Sequence, residues 1–271
     1  MKRKKIKLNF VFLFFILSES FAQNEFMHSG FYFDLAGGSL SQFRFRAPNS
    51  VEYRNWSGDI SKTGIYHINH EYGIPFLTLY WNDGTSQRYL MLLGEYLMAL
   101  YIDNTMPVFL LNWFHCDADR IFLGPHITNM QSITATSSLR WGNIHFAATA
   151  ERLGPHINQV WAVEGGVGER LFITQPSQSV YRLFISIGYV HFSRPYLFHH
   201  NARPKRMRVM DAYNQTLFFN IELRDTPNFQ LINLATEGIW SHNIIIEILE
   251  IFPGTRYNHM CINSILGMWS Q

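Results

Sequence analysis

The chain has 271 residues, of which 47% are hydrophobic and 16% aromatic, so it can form one large or two small domains with a substantial core. Its 22 lysines and arginines outnumber its 20 acidic residues, but five of the basic residues and one acid fall within residues 1–22. The rest of the chain has 17 basic and 19 acidic residues, a formal charge of −2. Nucleic acids and anionic membranes attract proteins through a concentrated positive field, so the composition argues against both as partners.

The first 22 residues have the features of an export signal. Five basic residues precede the apolar run 8–17, and Ser20 and Ala22 then supply small side chains at the two positions that a signal peptidase recognises. The apolar run is about half as long as the roughly 20 residues that a bilayer-spanning helix needs. No cysteine stands directly after it, which argues against a lipid anchor. We therefore predict a signal peptide over residues 1–22, a secreted or periplasmic bacterial protein, and no membrane span after the signal is removed.

Residues 27–115 predict a small antiparallel β domain. Two apolar runs, 76–81 and 87–93, lie on either side of Asn82-Asp83-Gly84, which is a strong hairpin signal because glycine adopts positive φ at little cost. Further segments with strand composition are 43–46, 65–68, 97–102 and 108–114. Five or six such strands would form a meander that curls into a half-barrel. Gly30-Phe31-Tyr32 resembles the opening of lipocalin-like barrels.

A second β region follows a connection near residues 116–132, where turn formers and a proline replace any sustained periodicity. Within residues 131–271 the predicted strands are 181–187, 206–210, 216–223, 229–234 and 243–251. The last of these is rich in isoleucine, which favours a strand over a helix. Short strands separated by turn-rich segments predict an all-β sandwich, so the whole chain is expected to be all-β.

Short motifs recur through the second half of the chain. They are, in chain order, Ile133-Thr-Ala-Thr-Ser-Ser-Leu139, Trp161-Ala-Val-Glu164-Gly-Gly-Val-Gly168-Glu169, Gly188-Tyr189-Val190, Tyr196…Asn201-Ala-Arg203-Pro-Lys205, Asp225-Thr…Gln230 and Pro253-Gly254…Tyr257…Cys261-Ile262…Ile265. Their order and spacing resemble the F5/8-type-C, discoidin-like domain that accompanies bacterial NAD glycohydrolases as a translocation and glycan-binding module. The resemblance covers about residues 131–267. It implies a galactose-binding-like jelly roll that recognises carbohydrate and has no catalytic role of its own.

Three positions depart from the family pattern. Ile187 stands where the family has an asparagine, and His259 and Ser264 stand where it has acids. If those polar groups bind sugar or brace the binding loops, recognition by this protein differs from that of the family. The hydrophobic pattern and the glycines are retained, so the expected fold is unaffected.

A carbohydrate site needs an aromatic ring against the C–H face of a sugar and planar polar groups for its hydroxyls. The candidate ligand-binding residues in the motifs are Trp161, Tyr189 and Tyr196 for the first role and Glu164, Asn201 and Arg203 for the second. In a sandwich such residues belong on the end loops, which the sheets hold in place. For each residue taken singly, a structural role is the simpler interpretation: Trp161 in the core, Glu164 in a turn, and Arg203 paired with an acid.

Signals for catalysis, cofactors and metals are weak. The closest histidine pairs are His67-x-x-His70 and His199-His200, and strand alternation would point the members of each pair to opposite faces. The chain has no Gly-x-Ser-x-Gly, P-loop or His-Glu-x-x-His pattern. We therefore predict no enzyme activity, no cofactor and no metal site.

Taken together, the sequence predicts an exported, non-catalytic carbohydrate-binding protein of a bacterial envelope, with a glycan as its partner. Two alternatives stay open: a structural or protein-interaction module that contacts another envelope or host-surface protein, and a lipocalin-like carrier of a small ligand in the first domain. The two cysteines, Cys116 and Cys261, could pair after export or remain two buried thiols.

Overall fold

The computed structural model describes residues 31–34, 42–46, 48–55, 59–94, 97–103, 107–112, 126–176 and 179–269. The predicted signal peptide and most of the predicted connection lie outside this set. The described elements are almost entirely strands, which confirms the all-β prediction. None of the described helices has the length and apolar character needed to cross a bilayer.

The first half of the chain forms a closed barrel of eight antiparallel strands. In chain order these are β1 (Phe31–Asp34), β2 (Gln42–Arg46), β3 (Ser50–Arg54), β4 (Ile60–Glu71), β5 (Ile74–Trp81), β6 (Ser86–Leu93), β7 (Leu97–Tyr101) and β8 (Val108–Asn112). Each strand pairs with its neighbour in sequence, and β1 also pairs with β8. The predicted meander is confirmed and is more complete than expected, because β1 supplies the partner that removes both open edges.

The predicted hairpin joins β5 to β6. Gly84 adopts φ +83° in its turn and donates its backbone N–H to the carbonyl of Trp81 at 3.0 Å. Strands β5 to β7 are apolar on both faces, since one face lines the barrel and the other is covered by the second half of the chain. The interior face contributes Leu77, Leu79, Tyr89, Met91, Met98 and Leu100. The outer face contributes Ile74, Phe76, Leu90, Leu92, Leu97, Ala99 and Tyr101.

The second half of the chain forms a sandwich. Its strands are β9 (His126–Asn129), β10 (Ser132–Ala135), β11 (Leu139–Trp141), β12 (Ile144–Phe146), β13 (Trp161–Glu164), β14 (Arg170–Thr174), β15 (Val180–Ile187), β16 (Arg203–Asp211), β17 (Phe218–Glu222), β18 (Gln230–Asn233), β19 (Asn243–Phe252) and β20 (His259–Trp269). A short helix α1 (Leu197–His200) precedes β16, and a 3₁₀ helix covers Ala235–Glu237.

Two antiparallel sheets make up the sandwich. One has the order β10-β14-β19-β16-β17 and the other the order β13-β20-β15-β18, with β9 pairing to the far end of β20. Strands β11 and β12 form a separate two-stranded hairpin. In β16, Met207 and Val209 are buried while Arg206 is exposed, so the two faces of the strand differ over residues 206–209.

Barrel and sandwich share one hydrophobic core. The outer-face residues of β5 to β7 belong to the same buried cluster as the sandwich interior. The Phe76 and Phe192 rings meet edge to face at 5.6 Å, and the backbone N–H of Leu93 donates to the Asn228 side chain at 3.1 Å. A shared apolar core of this kind holds the two halves in a defined relative position.

Candidate functional site

Trp161, expected to face a sugar, is fully buried in the sandwich. It lies on β13 opposite Ile262 of β20, and its indole Nε1 donates to the carbonyl oxygen of Ser137 at 2.9 Å. A buried indole whose N–H is satisfied contributes to the core and has no free face for a ligand. The assignment of Trp161 to a binding site is therefore corrected to a core position.

Arg203 and Asn201 are also buried, and their side chains bind the protein itself. Nε and Nη2 of Arg203 donate to the two carboxylate oxygens of Asp225 at 2.7 and 2.9 Å. Its Nη1 donates to the carbonyls of Phe198 and Asn201 at 3.1 and 2.6 Å, and Nδ2 of Asn201 donates to the carbonyl of Leu197 at 2.8 Å. Both residues are corrected to loop-bracing roles, because a buried guanidinium must satisfy its donors internally.

Tyr189 lies in a half-buried cluster of its own. Its ring centroid is 6.4 Å from that of Phe146 and 6.2 Å from that of His191, and it packs against a small core that includes Cys261. Burial raises the pKa of the Tyr189 phenol. Tyr189 therefore packs onto this small core at the end of β15, and its contact with a ligand stays a prediction.

The glycines of the motifs let backbones and side chains approach closely. At Gly188, which has φ +83°, an added Cβ would lie 2.6 Å from the Phe198 ring. At Gly254 it would lie 2.3 Å from the carbonyl oxygen of Tyr257 and 2.6 Å from that of His200. A side chain at Gly188 would have to displace the Phe198 ring and adopt a strained positive φ, and one at Gly254 would require a shift of the backbone. The motifs thus form the framework that seats α1 and the loop after Gly254.

Two of the predicted site residues lie at the surface of this framework. Tyr196 immediately precedes α1 and is half-buried. Glu164 ends β13, is exposed, and stands directly opposite His259 of β20 in the ladder. Both border a group of rings that the sequence did not associate with one another.

Three of these rings form a compact ring triad: Trp141, Tyr257 and His259. Tyr257 and His259 are stacked with an interplanar angle of 2° and centroids 5.8 Å apart. Trp141, at the end of β11, approaches His259 at 5.3 Å and Tyr257 at 6.3 Å. The Trp141 side chain is 58% exposed, so the triad presents an aromatic surface to solvent.

The triad continues into a longer series of rings, which we call the aromatic strip. Its members are Tyr72, Trp141, Tyr196, His200, Tyr257 and His259. From Tyr257 the centroid distance to His200 is 6.3 Å, from His200 to Tyr196 it is 5.0 Å, and from Tyr196 to Tyr72 it is 6.0 Å. The strip therefore connects the sandwich to the β4–β5 turn of the barrel.

Backbone hydrogen bonds hold the middle of the strip in place. The N–H groups of Arg256 and Tyr257 both donate to the carbonyl of His200, at 3.2 and 2.8 Å. The N–H of Thr255 donates to the carbonyl of His199 at 2.9 Å. These bonds satisfy the carbonyls that α1 leaves open at its C-terminal end and fix Tyr257 against His200. The rings are preorganised by the fold.

Polar groups lie among and beside the rings. The Arg256 guanidinium is 5.3 Å from the centroid of the Tyr257 ring, within the range of a cation–π contact. Arg256 and Glu164 are both exposed, and neither forms an ion pair with another described residue. Nδ1 of His200 is buried and has no hydrogen-bond partner in the described part of the chain. The surface thus offers a donor fork from Arg256 and an acceptor from Glu164 beside aromatic faces.

The remaining polar predictions concern cysteines and metals. Cys261 is a free, buried thiol, and burial raises its pKa to about 12. Its possible disulfide partner Cys116 lies outside the described residues, so the choice between a disulfide and two thiols is not tested. Across the described ranges, no three histidine, cysteine, aspartate or glutamate side chains are grouped closely enough to hold a metal ion.

Sequence reasoning missed most of the strip. Trp141 lies in a short hairpin outside the motifs, and Tyr72 lies in the barrel, so neither has a local signal that relates it to Tyr257. The one residue that could have indicated this surface from the sequence is His259, which stands where the family has an acid. The structure places its ring next to Trp141 and opposite Glu164 in the ladder.

Solved structures that are similar to this chain include the following three. The CBM32 of AlyQ in complex with 4,5-unsaturated mannuronic acid is 10% identical over 52% of this chain and 96% of that chain, with a TM-score of 0.32. CBM32-1 and CBM32-2 of Clostridium perfringens ZmpB in complex with GalNAc are 7% identical over 56% of this chain and 36% of that chain, with a TM-score of 0.34. A two-domain protein of unknown function from Bacteroides fragilis is 12% identical over 98% of this chain and 100% of that chain, with a TM-score of 0.31.

Among curated proteins no match is found. The sequence model of the NAD glycohydrolase translocation F5/8 type C domain matches residues 126–266, which is more than half of the chain. The match begins at the first residue of β9 and ends within β20, so it spans the strands of both sandwich sheets up to Leu266. This chain belongs to the family of the NAD glycohydrolase translocation F5/8 type C domain.

Proposed function

We propose that this protein is a non-catalytic carbohydrate-binding protein that holds its glycan on the ring triad of Trp141, Tyr257 and His259. The observation that carries the proposal is the exposed face of Trp141 beside two rings that the backbone holds in place. The C–H face of a sugar is apolar, so packing it against an aromatic ring removes it from water and lowers the free energy of the complex. Single exposed apolar residues are common on protein surfaces, but contiguous apolar patches mark interaction sites, and Trp141 is continuous with Tyr257 and His259.

The polar groups beside the triad suit the hydroxyls of a sugar. Arg256 presents a rigid donor fork, and Glu164 presents two acceptor oxygens opposite His259. A few polar groups next to apolar surface fix the orientation of a small ligand and set its specificity. Glu164 thereby keeps the role proposed for it from the sequence, and Tyr196 lies at the edge of the same surface.

Export is part of the same proposal. The basic residues and the apolar run within residues 1–22 support a cleaved signal, and a glycan ligand is accessible to a secreted or periplasmic protein. The family match supports a recognition role without chemistry. We accordingly infer that the exported protein acts by binding a glycan and not by catalysing a reaction.

The test compares two tryptophans on a glycan array. Trp141 and Trp240 are 58% and 57% exposed, but Trp240 packs against Tyr181, outside the aromatic strip. With the full chain, we expect Trp141→Ala to weaken glycan binding by about tenfold or more, which corresponds to about 1.4 kcal/mol. Trp240→Ala should bind as the unmodified protein does. A folded protein that binds nothing on the array, or one that loses binding only through Trp240→Ala, would refute the proposal.

A further inference from the structure

The barrel contributes a ring to the surface that the family domain provides. Tyr72 occupies the tip of the β4–β5 hairpin, and its ring meets that of Tyr196 edge to face at 6.0 Å. Tyr72 is 63% exposed and forms one end of the aromatic strip. Trp141, which is 58% exposed, forms the other end. The rings between them are linked by centroid distances of 5.0 to 6.3 Å.

The backbone at Tyr72 is unfavourable for a tyrosine. The hairpin has a two-residue turn, with Tyr72 at φ +52° and Gly73 at φ +78°, a conformation that asparagine or glycine adopts far more readily. A bulky side chain with positive φ is uncommon, and such strain concentrates at binding sites. Because the side chain is exposed, burial in the core does not explain why a tyrosine stands here.

The hairpin tip is fixed against the sandwich. The ring of His199 packs against the turn, since its Nε2 lies 2.9 Å from where a Cβ at Gly73 would stand. Beneath the tip, the Arg88 guanidinium lies 4.0 Å from the centroid of the Phe76 ring and 5.7 Å from that of Phe192. Tyr72 is thus held at its place in the strip before any ligand binds, which lowers the entropic cost of contact.

We propose that Tyr72 forms a second subsite of the glycan surface, so that the ligand is an oligosaccharide chain that extends from the ring triad to the barrel. This inference rests on the proposed function and narrows its ligand class from any sugar to an oligosaccharide. A single terminal sugar could contact the triad alone, whereas a chain gains from every ring it reaches. The barrel then sets the required length of the ligand.

Chain-length ladders test this inference. The probes are fluorescent ladders, from disaccharide to hexasaccharide, of β-linked glucose, β-linked N-acetylglucosamine and β-linked uronic acid, titrated against the full chain. Tyr72→Asn removes the ring and suits the turn, so it should fold at least as well as the unmodified protein. Tyr213→Asn, at an 81% exposed tyrosine outside the strip, is the matched control.

We expect affinity to rise by about tenfold or more from the shortest to the longest members of at least one ladder, a gain of about 1.4 kcal/mol. Tyr72→Asn should remove that gain and leave the affinity for the disaccharide unchanged, while Tyr213→Asn should change neither. Affinity that is independent of length, a Tyr72→Asn variant that keeps the full gain, or no binding to any ladder would overturn the inference. The proposed function would survive each of these if the array still shows binding that depends on Trp141.

Discussion

Replacing Arg203 with lysine tests whether the framework under the aromatic strip has been identified correctly. The Arg203 guanidinium makes four hydrogen bonds, two to Asp225 and two to the carbonyls of Phe198 and Asn201. Lysine keeps the positive charge but replaces the planar guanidinium with a single ammonium group. That group can donate either to the Asp225 carboxylate or to the two carbonyls, but not to both. The variant therefore measures what the hydrogen-bond geometry of the guanidinium contributes to stability while the charge at this position is kept.

The expected loss follows from those contacts. Two of the four bonds should be lost, and a hydrogen bond that involves a charged group contributes roughly 1.5–3 kcal/mol. Breaking a fully buried pair costs about 3–5 kcal/mol. The Arg203 side chain is only 5% exposed, but Asp225 is 36% exposed, so water can hydrate the carboxylate and reduce the loss. We expect Arg203→Lys to lower the free energy of unfolding by about 2–3 kcal/mol.

Urea denaturation measures this change as a lower midpoint with an unchanged slope. The matched control is Arg206→Lys on the same strand, because Arg206 is exposed and pairs with Glu250 at 2.6 Å. A surface pair of this kind contributes about 0–1 kcal/mol, so the control midpoint should barely move. Equal midpoints for the two variants would show that the Arg203 cluster does not brace the fold as described.

Two further predictions concern buried titrating groups. Burial raises the pKa of Cys261 to about 12, so its thiol should resist iodoacetamide in the folded protein and react once urea exposes it. Peptide mass mapping of the labelled protein measures this difference. Labelling of Cys261 in the folded protein would contradict its burial. Burial, with the Arg203 charge as the second cause, lowers the pKa of His199 from 6.5, so the unfolded chain takes up the proton more readily. The contribution of His199 to stability should therefore be full above about pH 7 and be lost as the pH falls below 6.5, and His199→Gln should flatten this dependence of the urea midpoint. His67→Gln, at an exposed histidine of β4, is the control, and an unchanged pH dependence in His199→Gln would contradict the assignment.

Much of the fold was predictable because it depends on short-range patterns. Alternating buried and exposed side chains define a strand wherever one face is wet, as in β16, and the turn at Gly84 defines a hairpin from three residues. The order of the motifs predicted the family, because glycines such as Gly188 and Gly254 are needed wherever a backbone packs tightly. Closure of the barrel was not predictable, since β1 is short and only its pairing with β8 completes the ring.

The site itself was largely hidden from the sequence. By itself, the sequence determined that segments such as β5, β6 and β19 are strands, where the hairpin turns, and which residue types are available for a glycan. Strands such as β13, β14 and β20 were not predicted from it. Only the tertiary structure decided that Trp161 and Arg203 face inward, and that Tyr72, Trp141 and Tyr257 belong to one surface. The physical reason is that strand patterns are set by neighbours along the chain, whereas the contacts between these rings depend on how a closed barrel and a sandwich pack together.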